Sequence, residues 1–174
     1  MARIEKVEVA SATGPVREIF DLYQRERGNV PNMFRTVAHR PELLRTMIAH
    51  FRAVMAPDAV DLRLKELVVV AVSGINGCDY CLNSHTKLLA KAGASEEEIV
   101  AARDGRYEGF SPRERIALEY AATLTRDPRG VTDQLYARLS EHFDAGQIIE
   151  ISAVTGLFNY FNRFNNALEM EPTT

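Results

Sequence analysis

Outside one fourteen-residue stretch, 74-GINGCDYCLNSHTK-87, the 174-residue chain contains no cysteine at all. Two thiols, Cys78 and Cys81, are too few for the disulfide-stapled scaffolds of small secreted proteins. Long apolar runs are missing as well. The longest, 67-LVVVAV-72, falls far short of the roughly 20 residues that cross a bilayer, and the opening MARIEKVEVA has no apolar signal-peptide core. These absences predict a soluble, cytoplasmic protein, and in that compartment paired cysteines are usually catalytic or redox-sensing rather than structural. Positive charge is not in surplus: 21 Lys and Arg stand against 24 Asp and Glu, for a net charge of −3. With the arginines scattered, neither nucleic acid nor an anionic membrane is an expected partner. There is no Gly/Ser linker, no low-complexity segment and no convincing hairpin. At 46% hydrophobic residues the chain can fill one well-buried core, so a single domain over residues 1–174 is expected.

What the chain has instead is helix punctuation. Val16, Ile19, Phe20 and Tyr23 form an i, i+3, i+4, i+7 stripe that Gly28 ends. A second stripe, from Leu43 and Leu44 through Met47, Ile48 and Phe51 to Val54 and Met55, follows Pro41 and stops before Pro57. Residues 61–74 are apolar nearly all round after Glu66, which predicts a central buried helix. A strand is the rival for so valine-rich a run, but the Leu-spaced lead-in 61-DLRLKEL-67 continues into it unbroken. Ser95 with Glu98, and Ser111-Pro112 with Glu114, read as capping boxes, and Asp144 with Gln147 opens a last long helix running past Phe164. The expected class is all-α, a bundle of seven to nine helices. An echo between 71-AVSG-74 and 153-AVTG-156, each with a glutamate upstream (Glu66, Glu150), hints at an internal helical repeat, though chance is the better explanation of four matched residues. The tail 169-EMEPTT-174 is expected to fray.

If the chain is helical from Cys78 onward, Cys81 lies about 60° from Cys78 and His85 about 40° from Cys81, all on one narrow face. Gly74, Asn76 and Gly77 break the preceding helix and leave Cys78 at a helix N-terminus, where unpaired amides and the dipole favour a thiolate. His85, one turn beyond Cys81, is placed to accept or relay that thiol's proton. The bland alternative is a pair of small core cysteines beside a satisfied histidine. Zinc is another rival, but a structural site needs a fourth ligand and no second CxxC or HxxxH pair exists. His39, His50 and His142 are isolated, with His50 alone able to reach a site after folding. Glu66 precedes Cys78 by twelve residues. By local spacing it is a solvated partner of Arg63 or Lys65, unless folding aims it at the CxxC helix.

The whole pattern, E-x11-C-x-x-C-x-x-x-H over Glu66, Cys78, Cys81 and His85, resembles the AhpD-like alkylhydroperoxidase branch of the carboxymuconolactone decarboxylase superfamily. The resemblance is densest over residues 62–99, within a core motif region 58–103, and extends to 28-GNVPNMFR-35. It implies an all-α subunit assembling into homotrimers or hexamers, and a thiol peroxidase needing no cofactor or metal. Cys81 would then be the peroxidatic thiol that attacks the hydroperoxide, Cys78 the resolving thiol, and Glu66 and His85 the proton relay, with a lipoyl or thioredoxin-like dithiol as reductant. Tyr80 stands where AhpD carries a histidine just before the peroxidatic cysteine. It can donate a hydrogen bond but cannot shuttle protons at neutral pH as imidazole does. Two other readings remain: a redox-sensing or disulfide-exchange protein with incidental peroxidase activity, and the superfamily's lactone decarboxylase, which needs no dithiol.

Overall fold

The computed structural model describes residues 2–173. Among them it has nine α-helices and no strand: α1 (Gly14–Arg27), α2 (Asn32–Val37), α3 (Pro41–Met55), α4 (Leu62–Ile75), α5 (Asp79–Lys91), α6 (Glu96–Asp104), α7 (Pro112–Arg126), α8 (Asp133–Ser140) and α9 (Ala145–Ala167). The all-α expectation holds. The valine-rich run is helical because burial decides it: α5, α6, α7 and α9 all pack on α4, and every residue from Leu64 to Ser73 is buried. Burial on all sides rewards branched apolar side chains in either conformation, so intrinsic β-propensity is overridden. Asp61 starts the helix by accepting from the Leu64 amide at 2.9 Å, and all three expected capping boxes form, at Ser95/Glu98, Ser111/Glu114 and Asp144/Gln147.

Two buried charges lie in adjacent positions of α4. Lys65, only 2% exposed, donates to the Val54 and Ala56 carbonyls at 3.0 and 2.6 Å. It also pairs with Glu150 of α9 at 2.8 Å. Those contacts satisfy the end of α3 and tie three helices together. Arg63 bridges Glu98 and Glu114. Neither cation is therefore the partner of Glu66, contrary to the local-spacing reading. Glu66 and Glu150, the two glutamates of the sequence echo, have different partners. At Gly74 an added Cβ would drive into the Arg103 backbone, so glycine is what lets α6 approach α4 so closely.

Two details differ from expectation. Leu43 lies outside the buried stripe of α3, 46% exposed. The tail does not fray over residues 169–173; Thr174 lies outside the described residues. Arg3 donates to the Ala167 carbonyl and pairs with Glu169, Met170 is buried, and Thr36 donates to its sulfur at 3.6 Å. The Asn32 amide group donates to the Glu171 and Pro172 carbonyls, and its backbone N–H donates to Thr173 Oγ1 at 2.9 Å. A polar, proline-containing end carries no periodic signal, and these anchors come from residues more than 130 positions away in sequence.

Candidate active site

The turn between α4 and α5 builds the site. Gly77, at φ 60°, donates to the Gly74 carbonyl at 3.2 Å, and Cys78 donates to the Ser73 carbonyl at 2.9 Å. This pair of bonds is a Schellman motif with glycine in the left-handed position. The residue that completes it, Cys78, is also the N-cap of α5. One short turn thus ends the buried helix and starts the next, bringing the Cys81 backbone N–H to the Cys78 sulfur.

Asparagines of α9 lock that turn. The Asn166 amide group donates to the Asn76 carbonyl at 2.9 Å, and Asn76 donates to Asn159 and Asn162, each at 3.0 Å. Asn162 donates in turn to Ser73 Oγ at 3.1 Å. Asn165 is left to the chemistry. Its Nδ2 donates to Cys81 Sγ at 3.4 Å, while its buried Oδ1 has no partner among the described residues. The sequence reading missed this residue. Its signal was present in 157-LFNYFNRFNN-166, where asparagines recur at helical spacing inside a phenylalanine-rich core helix, a costly choice unless they are hydrogen-bonded or used.

Glu66 and His85 are brought together as the motif implied. The ring's Nδ1–H donates to Glu66 Oε2 at 2.7 Å, with side chains 12% and 4% exposed. This bond leaves Nε2 as the ring's open nitrogen. The edge-to-face contact with Phe158, at 4.8 Å and 85°, holds the ring plane. Tyr80 is pinned rather than mobile: its hydroxyl accepts from the Met33 N–H at 3.0 Å and meets Thr173 Oγ1 at 3.3 Å. Burial pushes its phenol up from the ordinary value, so it stays neutral. His50 is exposed and is not part of the site. No three His, Cys, Asp or Glu side chains converge as metal ligands among the described residues.

Both cysteines are unbridged and buried, Cys78 completely and Cys81 to 4% exposure. The expectation that Cys78 sits nearer an open helix end is therefore overturned, because the asparagines of α9 close over the turn. It is Cys81 that lines a cavity of about 290 Å³, together with His85 and Asn165. A Cys78 thiolate is favoured first by the Cys81 thiol and, against the cost of burial, by the Cys81 backbone N–H and the Asn162 and Asn165 amides, which bring its pKa down to about 7. That charge and burial push the Cys81 thiol up. The pair therefore titrates as a unit holding one proton between two sulfurs. His85 makes no hydrogen bond to Cys81 among the described residues, so the thiolate is set by the pair and the asparagines rather than by the imidazole expected to deprotonate it. Alkylation by iodoacetamide should accordingly rise with pH through an inflection near 7, falling below it as the pair protonates. In Cys78→Ser, which removes the acidic thiol, the inflection should move upward. A wild-type inflection at the free-cysteine value of about 8.5 would contradict the arrangement.

Residues 41–123 match the Carboxymuconolactone decarboxylase family. The uncharacterized protein YnjA of Escherichia coli is 34% identical over 112 residues, 64% of this chain and 62% of that one. The alkyl hydroperoxide reductase AhpD of Methylocella silvestris is 38% identical over 94 residues, 53% of this chain and 51% of its own. The chain thus spans less than two thirds of the length of these two relatives. Over the whole fold, the crystal structure of an alkylhydroperoxidase AhpD core, an uncharacterized peroxidase-related protein from Ralstonia eutropha, superposes with a TM-score of 0.90 at 28% identity, covering 99% of this chain and 92% of that one. The buried Glu66–His85 pair beside two thiols at a helix start thus lies in a chain that belongs to the carboxymuconolactone decarboxylase family, in its AhpD-like branch.

Proposed function

We propose that the protein is a thiol-dependent peroxidase that reduces organic hydroperoxides through a Cys78/Cys81 dithiol–disulfide cycle. The observation that carries this is the placement of one sulfur of an acidified thiol pair on a cavity that also holds the open side of a Glu66-anchored histidine. As hydroperoxide enters, the Cys81 proton passes to Cys78 and the Cys81 sulfur attacks the terminal oxygen. The O–O bond breaks, the oxygen stays on sulfur as a sulfenic acid, and the departing alkoxide takes a proton from the His85–Glu66 pair. Cys78 then attacks the Cys81 sulfur, water leaves and a disulfide forms. A dithiol donor returns both thiols and restores the proton. The Asn165 N–H supports charge on the Cys81 sulfur through this sequence.

The enclosure of both sulfurs favours a small substrate over exchange with bulky protein disulfides. It likewise favours a slender lipoyl-type arm as reductant over a broad thioredoxin-like face. Sustained consumption of cumene hydroperoxide with dihydrolipoamide as donor is the expected result. Oxidation that stops after one equivalent with every dithiol donor would favour the redox-sensing alternative. We also propose a homotrimer or hexamer, because Ile149 and Tyr160 of α9 are 68% and 43% exposed, an apolar face a partner subunit would cover. Light scattering should give a mass several times 19.5 kDa; a monomeric mass at micromolar concentration would refute the assembly.

A further inference from the structure

The cavity that reaches Cys81 combines three kinds of side chain. Its lining includes Cys81, His85 and Asn165, the aromatic rings of Phe34, Phe51, Phe158 and Phe161, and, at its exposed rim, Arg27, Lys87 and Lys91. Although acidic residues outnumber basic ones in the chain, no aspartate or glutamate lines this cavity. The three rim cations are exposed, and among the described residues none is paired with a carboxylate, whereas Arg63 alone engages two elsewhere. Hydrogen peroxide would need neither the aromatic walls nor the cations.

We infer that the cavity takes hydroperoxides bearing a carboxylate at the far end of an apolar body: the O–O bond lies at Cys81, the hydrocarbon along the phenylalanines and the carboxylate among Arg27, Lys87 and Lys91. The inference rests on the peroxidase reading of the same site. Lys87 and Lys91 follow Cys81 by six and ten residues on α5, about 9 and 15 Å of helix rise, and side chains on a helix lean toward its N-terminus, as Lys87 does in donating to Asn83. A medium-chain acid oxidised near its distal end spans that distance. The aromatic walls supply the burial that holds such a chain, and the cations select its charged end.

The site can be tested without turnover. In the reduced protein, 10-hydroxydecanoate, which has the shape of the alcohol product, should protect Cys81 from iodoacetamide at about tenfold lower concentration than its methyl ester, the scale of a few exposed ion contacts acting together. Peptide mass spectrometry separates Cys81 from Cys78. The advantage of the acid should vanish in 1 M NaCl and in the variant carrying Arg27→Gln, Lys87→Gln and Lys91→Gln. Equal protection by acid and ester, or an advantage that survives in this variant, overturns the inference. The salt comparison on the unaltered protein stands even if the triple variant does not fold. In steady state, a fatty-acid hydroperoxide and its methyl ester should differ in KM by a similar factor and little in kcat. Should neither be consumed while the hydroxy acid still protects, the peroxidase reading fails and the anion-selective site remains. Should both be consumed alike with no preferential protection, the site fails and the peroxidase remains.

Discussion

Cys81→Ser is expected to reduce hydroperoxide consumption to the uncatalysed background, whereas Cys78→Ser should keep the first chemical step and lose the cycle. Only Cys81 lines the cavity, and Cys78 is fully enclosed behind it, so a substrate meets one sulfur and not the other. In Cys78→Ser the neighbouring charge that opposed ionisation of Cys81 is gone. The remaining thiol therefore ionises more readily than Cys81 does beside a charged Cys78, though at a higher pH than the first ionisation of the pair, and Asn165 still donates to its sulfur. One equivalent of sulfenic acid should form and persist, because no thiol is left to condense with it. Dimedone labelling followed by peptide mass spectrometry reads the result directly. A sulfenate trapped on Cys78 in Cys81→Ser, with turnover retained, would reverse the two roles.

The site was legible in the sequence to the extent that its geometry is local. Gly77 before Cys78 marks a helix end, a CxxC at the next helix start puts both sulfurs near its first amides, and the spacing to His85 puts three groups on one face. The helix break at Gly77 and the helix start at Cys78 hold in the structure, and Cys81 and His85 line one cavity, but Cys78 is the non-helical N-cap and lies enclosed away from it. Contacts made across the bundle were not legible. Glu66 is nineteen residues from His85, and nearest-neighbour spacing alone assigns it to Arg63 or Lys65, both of which are engaged elsewhere. Asn165 is farther still from Cys81, on a helix whose phenylalanines dominate its periodic signal. The enclosure of Cys78 depends on the same helix. The tail is the clearest case: composition says that residues 169–173 should be loose, and what holds them is a set of hydrogen bonds from α2 that no window of sequence contains.

Glu66→Gln should lower hydroperoxide turnover by roughly 10²-fold, the low end for loss of an acid–base contribution, while leaving the fold and the alkylation profile intact. The substitution keeps the shape of the side chain, and an amide oxygen can still accept from the His85 Nδ1–H, so the ring orientation and the open Nε2 are retained. What is lost is the counter-charge. A protonated imidazole in this buried setting, against Phe158, would face a neutral partner, and holding the proton needed by the departing alkoxide becomes unfavourable. The thiolate is affected differently, since the groups that lower Cys78 are Cys81, Asn162 and Asn165, none of which the substitution touches. The iodoacetamide inflection should therefore remain near 7 while peroxide turnover falls. This split separates proton delivery from thiolate formation. Parallel losses in both rates would mean that Glu66 acts on the thiols themselves, and wild-type turnover would reduce the Glu66–His85 bond to a purely structural contact.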